Sequence, residues 1–176
     1  LIDHVLPSLQ DLPIWECAAG DGRLARAMCA ANYTVLASDI EPRGEGIERR
    51  DFLRDAPPQT GSIAATNPPF NKINQFIARG LHLVDHRAIA GLVLLLRYDA
   101  LTAATRADAL NRAVGILTCC WRPVWIEGTK GNGRWANAWV WWLPDHQGPP
   151  TARWLPSARK LRQTVLRLNE PTRGAP

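Results

Sequence analysis

The chain has 176 residues, 46% hydrophobic and 21% charged, which is enough for one domain with a sizeable core and too apolar for a disordered segment. Its longest apolar run, Ile89 to Leu96, contains Gly91 and is far too short to cross a membrane, and no secretory signal is visible. The net charge of +5 gathers at one end: residues 1–145 hold 15 Lys/Arg and 15 Asp/Glu, whereas residues 146–176 hold six Lys/Arg against Glu170 alone.

That asymmetry predicts a neutral body, residues 1–145, and a basic tail, residues 146–176, suited to a polyanionic partner. The four cysteines, Cys17, Cys29, Cys119 and Cys120, show neither C-x-x-C spacing nor a His partner. No metal site is expected, and reduced thiols in a cytoplasmic protein fit the pattern. The chain starts without Met, so an upstream segment is expected.

In chain order, a helix end is predicted over Ile2 to Leu9. A strand follows at Pro13 to Cys17, then the turn Gly20-Asp21-Gly22 and a helix from Arg23 to Ala31. Tyr33 to Ile40 reads as a second strand and Ile47 to Phe52 as a short third. Ser62 to Thr66 is a short buried strand. The apolar spacing of Ile73, Phe76, Ile77, Gly80, Leu81 and Val84 predicts a helix over Lys72 to Val84. Ala88 to Leu96 is a strand buried on both faces, and Arg106 to Ala113 a helix.

The end of the chain differs in style. Cys119 to Ile126 and Trp135 to Leu143 read as strands around a hairpin turn at Lys130 to Arg134, where Asn132-Gly133 is a strong turn signal. Residues 144–155, rich in Pro and Gly, read as a linker, and Ala158 to Leu168 as a short helix. The tryptophans crowding this third are expected to pack beneath helices, with Trp135, beside the turn, as the exception. The whole predicts an α/β fold: a doubly wound, mostly parallel sheet with an antiparallel hairpin strand near its edge.

Two stretches carry chemistry. Asn67-Pro68-Pro69-Phe70 falls where a parallel strand ends, the place where open α/β sheets hold ligands. The prolines remove two N–H donors and stiffen the turn. Two acceptors, Asn67 Oδ1 and the Pro68 carbonyl, then stand beside an aromatic ring, a cradle for a planar group bearing NH2. Gly20-Asp21-Gly22-Arg23-Leu24-Ala25 fits G-x-G-x-x-G/A after a strand. That turn would suit a dinucleotide, with Asp39 on a ribose. Glu16, just before the turn, is a poor neighbour for a pyrophosphate and a good one for an amino acid carrying a sulfonium. Hydride transfer also has no use for an amine cradle. S-adenosylmethionine satisfies both: Asp39 would accept from the ribose hydroxyls and Asp51 from the adenine amine, with Phe52 on the ring.

With these residues in view, Ile14 to Leu143 resembles the class I S-adenosylmethionine-dependent methyltransferases. The shared stretches are Ile14 to Gly22, Ala37 to Ile40, Asp51 to Leu53, Thr66 to Phe70 and Leu94 to Arg97, together with Arg122-Pro123 and Ala138 to Trp141. The N-P-P-F motif is similar to that of the amino-group branch, and within it to small phage or prophage N6-adenine DNA methyltransferases. The resemblance implies a cofactor site of Glu16, Cys17, Ala18, Gly20, Gly22, Asp39, Ile40, Asp51, Phe52 and Asn67. It implies catalysis by Asn67, Pro68, Pro69 and Phe70, with DNA as the partner. The same cradle would also serve guanine N2 in RNA or a protein glutamine amide, and a non-catalytic cofactor- or nucleic-acid-binding subunit is a further alternative.

Overall fold

The computed structural model describes residues 11–121 and 135–156. The expected helices over 2–9 and 158–168 and the hairpin turn at 130–134 lie outside the described residues. The elements are β1 (Ile14–Glu16), α1 (Arg23–Cys29), β2 (Val35–Asp39), β3 (Glu48–Arg49), β4 (Ile63–Thr66), α2 (Ile73–Asp85), β5 (Gly91–Arg97), α3 (Ala107–Asn111), β6 (Gly115–Cys119), β7 (Asn137–Trp142) and β8 (Thr151–Leu155). One sheet takes them in the order β3-β2-β1-β4-β5-β7-β6-β8. β7 runs against both β5 and β6, and the other pairs are parallel. The α/β, mostly parallel sheet with an antiparallel strand near one edge is therefore the architecture that the sequence predicted.

The two faces of the sheet carry separate cores. On one, Trp15, Phe52, Phe76, Leu92, Leu94 and Trp142 pack with α2 and α3. On the other, Ile14, Met28, Val93, Leu95, Trp139 and Trp141 pack with α1. Alternate residues of β5 feed opposite faces, which is why its whole apolar run is buried. Trp139, Trp141 and Trp142 are buried as expected and Trp135 is 44% exposed, but Trp121 and Trp154, against expectation, are exposed as well, at 37% and 64%. Each buried indole N–H must find an acceptor. Trp15 Nε1 donates to Ser38 Oγ at 2.7 Å, and Trp142 Nε1 to the Ala109 carbonyl at 2.7 Å.

Three expectations need correction. Residues 144–155 are not simply a linker: Thr151–Leu155 forms β8, parallel to β6 in the register Gly115↔Thr151 to Cys119↔Leu155. As an edge strand it buries only Leu155, so it lacks the apolar run that marks an interior strand. The sheet thus continues past residue 145, beyond the expected boundary of the body. The strand expected from Cys119 instead occupies Gly115–Cys119, and residues 122–126 lie outside the described set. The helix expected over Arg106 to Ala113 is a 3-10 turn, Ala104–Arg106, followed by the short α3.

Candidate functional site

The C-terminal ends of β1, β2 and β4 open into one cleft of about 740 Å³. The turn after β1 is tied to the end of β2. The Ala19 N–H donates to the Ser38 carbonyl at 3.0 Å, and the Gly20 N–H to Asp39 Oδ2 at 2.7 Å. Arg43, beyond β2, donates its N–H to the Gly20 carbonyl at 3.0 Å. Gly20 and Gly22 hold φ of +57° and +81°, left-handed values that a side chain would oppose. A Cβ at Gly20 would also lie 3.0 Å from the Arg43 guanidinium. At Gly20 the turn therefore meets the cleft as backbone, with the Arg43 guanidinium beside it.

Glu16 ends β1 and is 1% exposed. Its Oε1 accepts a long bond from the Ala18 N–H, 3.4 Å, and among the described residues Oε2 has no hydrogen-bond partner. Burial pushes its carboxyl up to about 8 from 4.5; the nearby Thr66 hydroxyl, which forms no hydrogen bond of good geometry among the described residues, and the Ala18 N–H pull partly back, and the Asp39 charge adds to the rise. A buried carboxyl with an unsatisfied oxygen is costly unless a donor or cation arrives.

The prediction-bearing residues separate into three groups. Glu16, Cys17, Ala18, Gly20, Asp39, Ile40, Asp51, Phe52, Asn67 and Pro69 all line the cleft. Pro68, buried, and Phe70, 47% exposed, are not part of that lining. Gly22 faces a neighbouring hollow beside Ile47 and Arg26. Asp39 already accepts two backbone bonds, from Gly20 to Oδ2 and from Glu41 to Oδ1 at 2.8 Å. Each carboxylate oxygen keeps a second acceptor site for a ligand. Ile40 is half exposed and offers an apolar face beside Asp39.

Asp51 opens a tight turn in which its Oδ1 accepts the Leu53 N–H at 2.9 Å. Phe52 is 2% exposed, its ring 5.3 Å from Trp15 and 4.8 Å from Phe76. It forms the floor of the cleft rather than a free stacking surface. Arg79 of α2 holds this turn from behind, donating to the Phe52 carbonyl at 3.4 Å and to the Asp55 carbonyl at 3.1 Å.

Asn67 follows β4 directly. Its side chain makes no hydrogen bond among the described residues, so the carboxamide is available to a ligand. The Lys72 N–H donates to the Pro69 carbonyl at 2.9 Å, closing the turn that carries the motif into α2.

Sequence reasoning missed several residues. Glu41, Arg43, Lys72 and Phe76 also line the cleft. Phe76 was readable as a helix-core position, but nothing local showed that it would sit under the cleft. Arg97, at the end of β5, places its Cζ 5.4 Å from the Phe70 ring centroid and 3.8 Å from that of Trp135. No spacing rule links these three residues, which come from three separate segments. Among the described residues no group of three or more His, Cys, Asp or Glu could hold a metal ion, and no helix is long and apolar enough to cross a membrane.

No protein-family model and no curated protein matches this chain. Solved structures do. A protein of Listeria monocytogenes assigned to the class I S-adenosylmethionine-dependent methyltransferases matches with a TM-score of 0.56 and 11% identity over 93% of this chain. This chain spans 65% of that protein's length. The 23S rRNA methyltransferase ErmE matches with a TM-score of 0.50 and 17% identity, covering 89% of this chain and 69% of ErmE. At such identities the likeness is one of fold: the chain has the Rossmann-like sheet of these proteins.

Proposed function

We propose that the chain transfers a methyl group from S-adenosylmethionine to an exocyclic amino nitrogen, most naturally N6 of adenine in DNA. The observation that carries this reading is the unengaged Asn67 carboxamide in the same cleft as Glu16, Asp39 and the bare Gly20 turn. The residues fit the cofactor. The orphaned Glu16 Oε2 suits a cationic amino-acid portion, Asp39 suits a ribose diol, and Ile40 with Asp51 suits an adenine. The fold of the two solved neighbours supports the same cofactor.

When bound, the cofactor supplies an electrophilic methyl on a sulfonium; the carbon–sulfur bond breaks as a carbon–nitrogen bond forms. The work of this chain lies at the acceptor. An adenine amine is a poor nucleophile because its lone pair is delocalised into the ring. Asn67 Oδ1 and the Pro68 carbonyl accept its two hydrogens, favour a pyramidal nitrogen and stabilise the growing positive charge. Fixed dipoles of this kind contribute roughly 3–4 kcal/mol each, and alignment of the two reactants contributes more. The product loses one proton to solvent. Pro68 and Pro69 keep the turn rigid, and Phe70 stacks on the target ring. A base in a duplex must leave the stack to arrive there, at a cost of about a few kcal/mol.

A second substrate, adenine in RNA, is favoured by one observation: the neighbour ErmE acts on 23S rRNA by its name. The basic residues of 146–176 suit either nucleic acid. The deciding experiment offers tritiated S-adenosylmethionine with duplex DNA, single-stranded DNA, total RNA and cell protein in parallel. N6-methyladenine in DNA is the expected product. Label in RNA or protein keeps the chemistry and replaces the substrate. Cofactor binding with no transfer to any acceptor would point to a binding subunit instead.

A further inference from the structure

Phe70 and Trp135 are large rings, 47% and 44% exposed, on segments that meet beside the end of β5. The guanidinium of Arg97 lies within cation–π distance of both, its Cζ 5.4 Å from the Phe70 centroid and 3.8 Å from that of Trp135. The backbone at Trp135 is held: the Asn137 carboxamide, 2% exposed, donates to the Trp135 carbonyl at 2.9 Å. The next residue is held too, since the Tyr98 N–H donates to the Ala136 carbonyl at 2.8 Å.

We propose that Arg97 is a placeholder in the target-stacking slot, a planar cation that sits beside Phe70 and Trp135 and gives way to a planar heterocycle. The proposal rests on the methyl-transfer reading and deepens it by naming the residues that hold the target base and that disfavour a protein amide. Arg97 is a poor phosphate contact as it stands, because Asp99 takes both its Nε, at 3.1 Å, and its Nη2 in a bidentate pair. Its charge is therefore paired locally with Asp99, while its Cζ stays within cation–π distance of both rings. A base that displaces it takes over both ring contacts. A glutamine side-chain amide is too small to do so. The slot thus selects against a protein amide without any hydrogen bond to the target. Arg97 acts here as a specificity and positioning residue, and the reacting atoms stay with Asn67 and Pro68.

The test uses a fluorescent single-stranded oligonucleotide as acceptor, with Arg97→Ala and Trp135→Ala singly and together. S-adenosylhomocysteine binding by each variant checks that the cleft is intact. With the placeholder gone, Arg97→Ala is expected to lower the oligonucleotide KM and dissociation constant about three- to tenfold, the change lying in KM rather than in kcat. In the Trp135→Ala background the same substitution should change neither. A raised KM with a flatter salt dependence would mean a phosphate contact and overturn the proposal. A fall in kcat at unchanged KM would mean a mere brace and also overturn it. Binding is measured without turnover, so a wild-type protein that labels no nucleic acid would fail the proposed function separately. The dissociation constants would still decide the slot: tighter binding by Arg97→Ala supports it, and unchanged or weaker binding overturns it.

Discussion

The N–H of Gly20 donates to Asp39 Oδ2 at 2.7 Å, so the carboxylate that faces the cleft also fastens the glycine turn to the end of β2. With the second bond from Glu41, Asp39 organises two loops at once. Hydrogen bonds to a charged acceptor contribute about 1.5–3 kcal/mol each before solvent screening. Asp39→Ala should therefore lower unfolding free energy by about 2–3 kcal/mol and weaken S-adenosylhomocysteine binding more than tenfold. Urea unfolding and titration calorimetry measure the two effects separately. Stability unchanged by the substitution would show that the turn holds without this acceptor.

Asn67→Ala removes the carboxamide and leaves no broken hydrogen bond within the described residues. Its effect should fall on turnover, a loss of roughly 10²–10³ in kcat, with cofactor affinity changed less than threefold. Single-turnover transfer and calorimetry check this. An active variant would remove Asn67 from the mechanism.

Glu16 makes the cleft sensitive to pH. Its carboxyl is pushed up to about 8 from 4.5, chiefly by burial. A folded value above the unfolded one means that its contribution to stability is fully present below the unfolded pKa. That contribution is lost as pH rises through the folded value. The ligand-free protein should thus lose stability between about pH 4.5 and 8, and Glu16→Gln should flatten that slope. A cationic ligand favours the ionised form, so its affinity should climb from pH 6 towards pH 8 and then level off. Thermal melts and binding isotherms across this range give both curves. Parallel curves for wild type and Glu16→Gln would contradict the assignment.

Arg79 ties α2, the helix that follows Asn67-Pro68-Pro69-Phe70, to the turn carrying Asp51. It never touches the cleft itself, since it is absent from the lining. Arg79→Met keeps the aliphatic stem and deletes both donors. The expected result is a three- to tenfold loss of cofactor affinity, with stability lowered by about 1 kcal/mol. Faster amide exchange over residues 51–55 would locate the cause.

Gly115 begins β6 opposite Trp141 of β7, and a Cβ there would lie 2.4 Å from the indole carbons Cζ2 and Cη2. The indole is rigid and packed in the core, so the strain cannot be relieved by a simple rotamer change. Gly115→Ala should destabilise the fold by about 1–3 kcal/mol, with the midpoint of urea unfolding as the measure. An unshifted midpoint would show that the two strands can separate locally at no cost.

Much of the site was legible because it is local. Glu16, the glycine turn, Asp39, Asp51 and Asn67 each stand at a strand end or in a turn marked by its own neighbours. The cleft exists because these ends belong to adjacent strands. Phe52 was harder to place. The sequence puts an aromatic after Asp51, but whether its face meets a ligand or the core depends on Trp15 and Phe76, which arrive from β1 and α2. β8 was misread for a related reason: an edge strand needs one partner and one buried residue, and its composition resembles a loop.

By itself the sequence determined the alternation of strands and helices, the glycine turn and the rigid Asn67-Pro68-Pro69-Phe70 corner, since periodicity, φ preferences and missing N–H donors act within a few residues. Tertiary structure alone decided the strand order, the buried and unsatisfied state of Glu16, and the meeting of Phe70, Arg97 and Trp135. Those depend on which distant segments share a sheet edge, and burial and ring contacts between them arise only once the whole sheet has closed around its two cores.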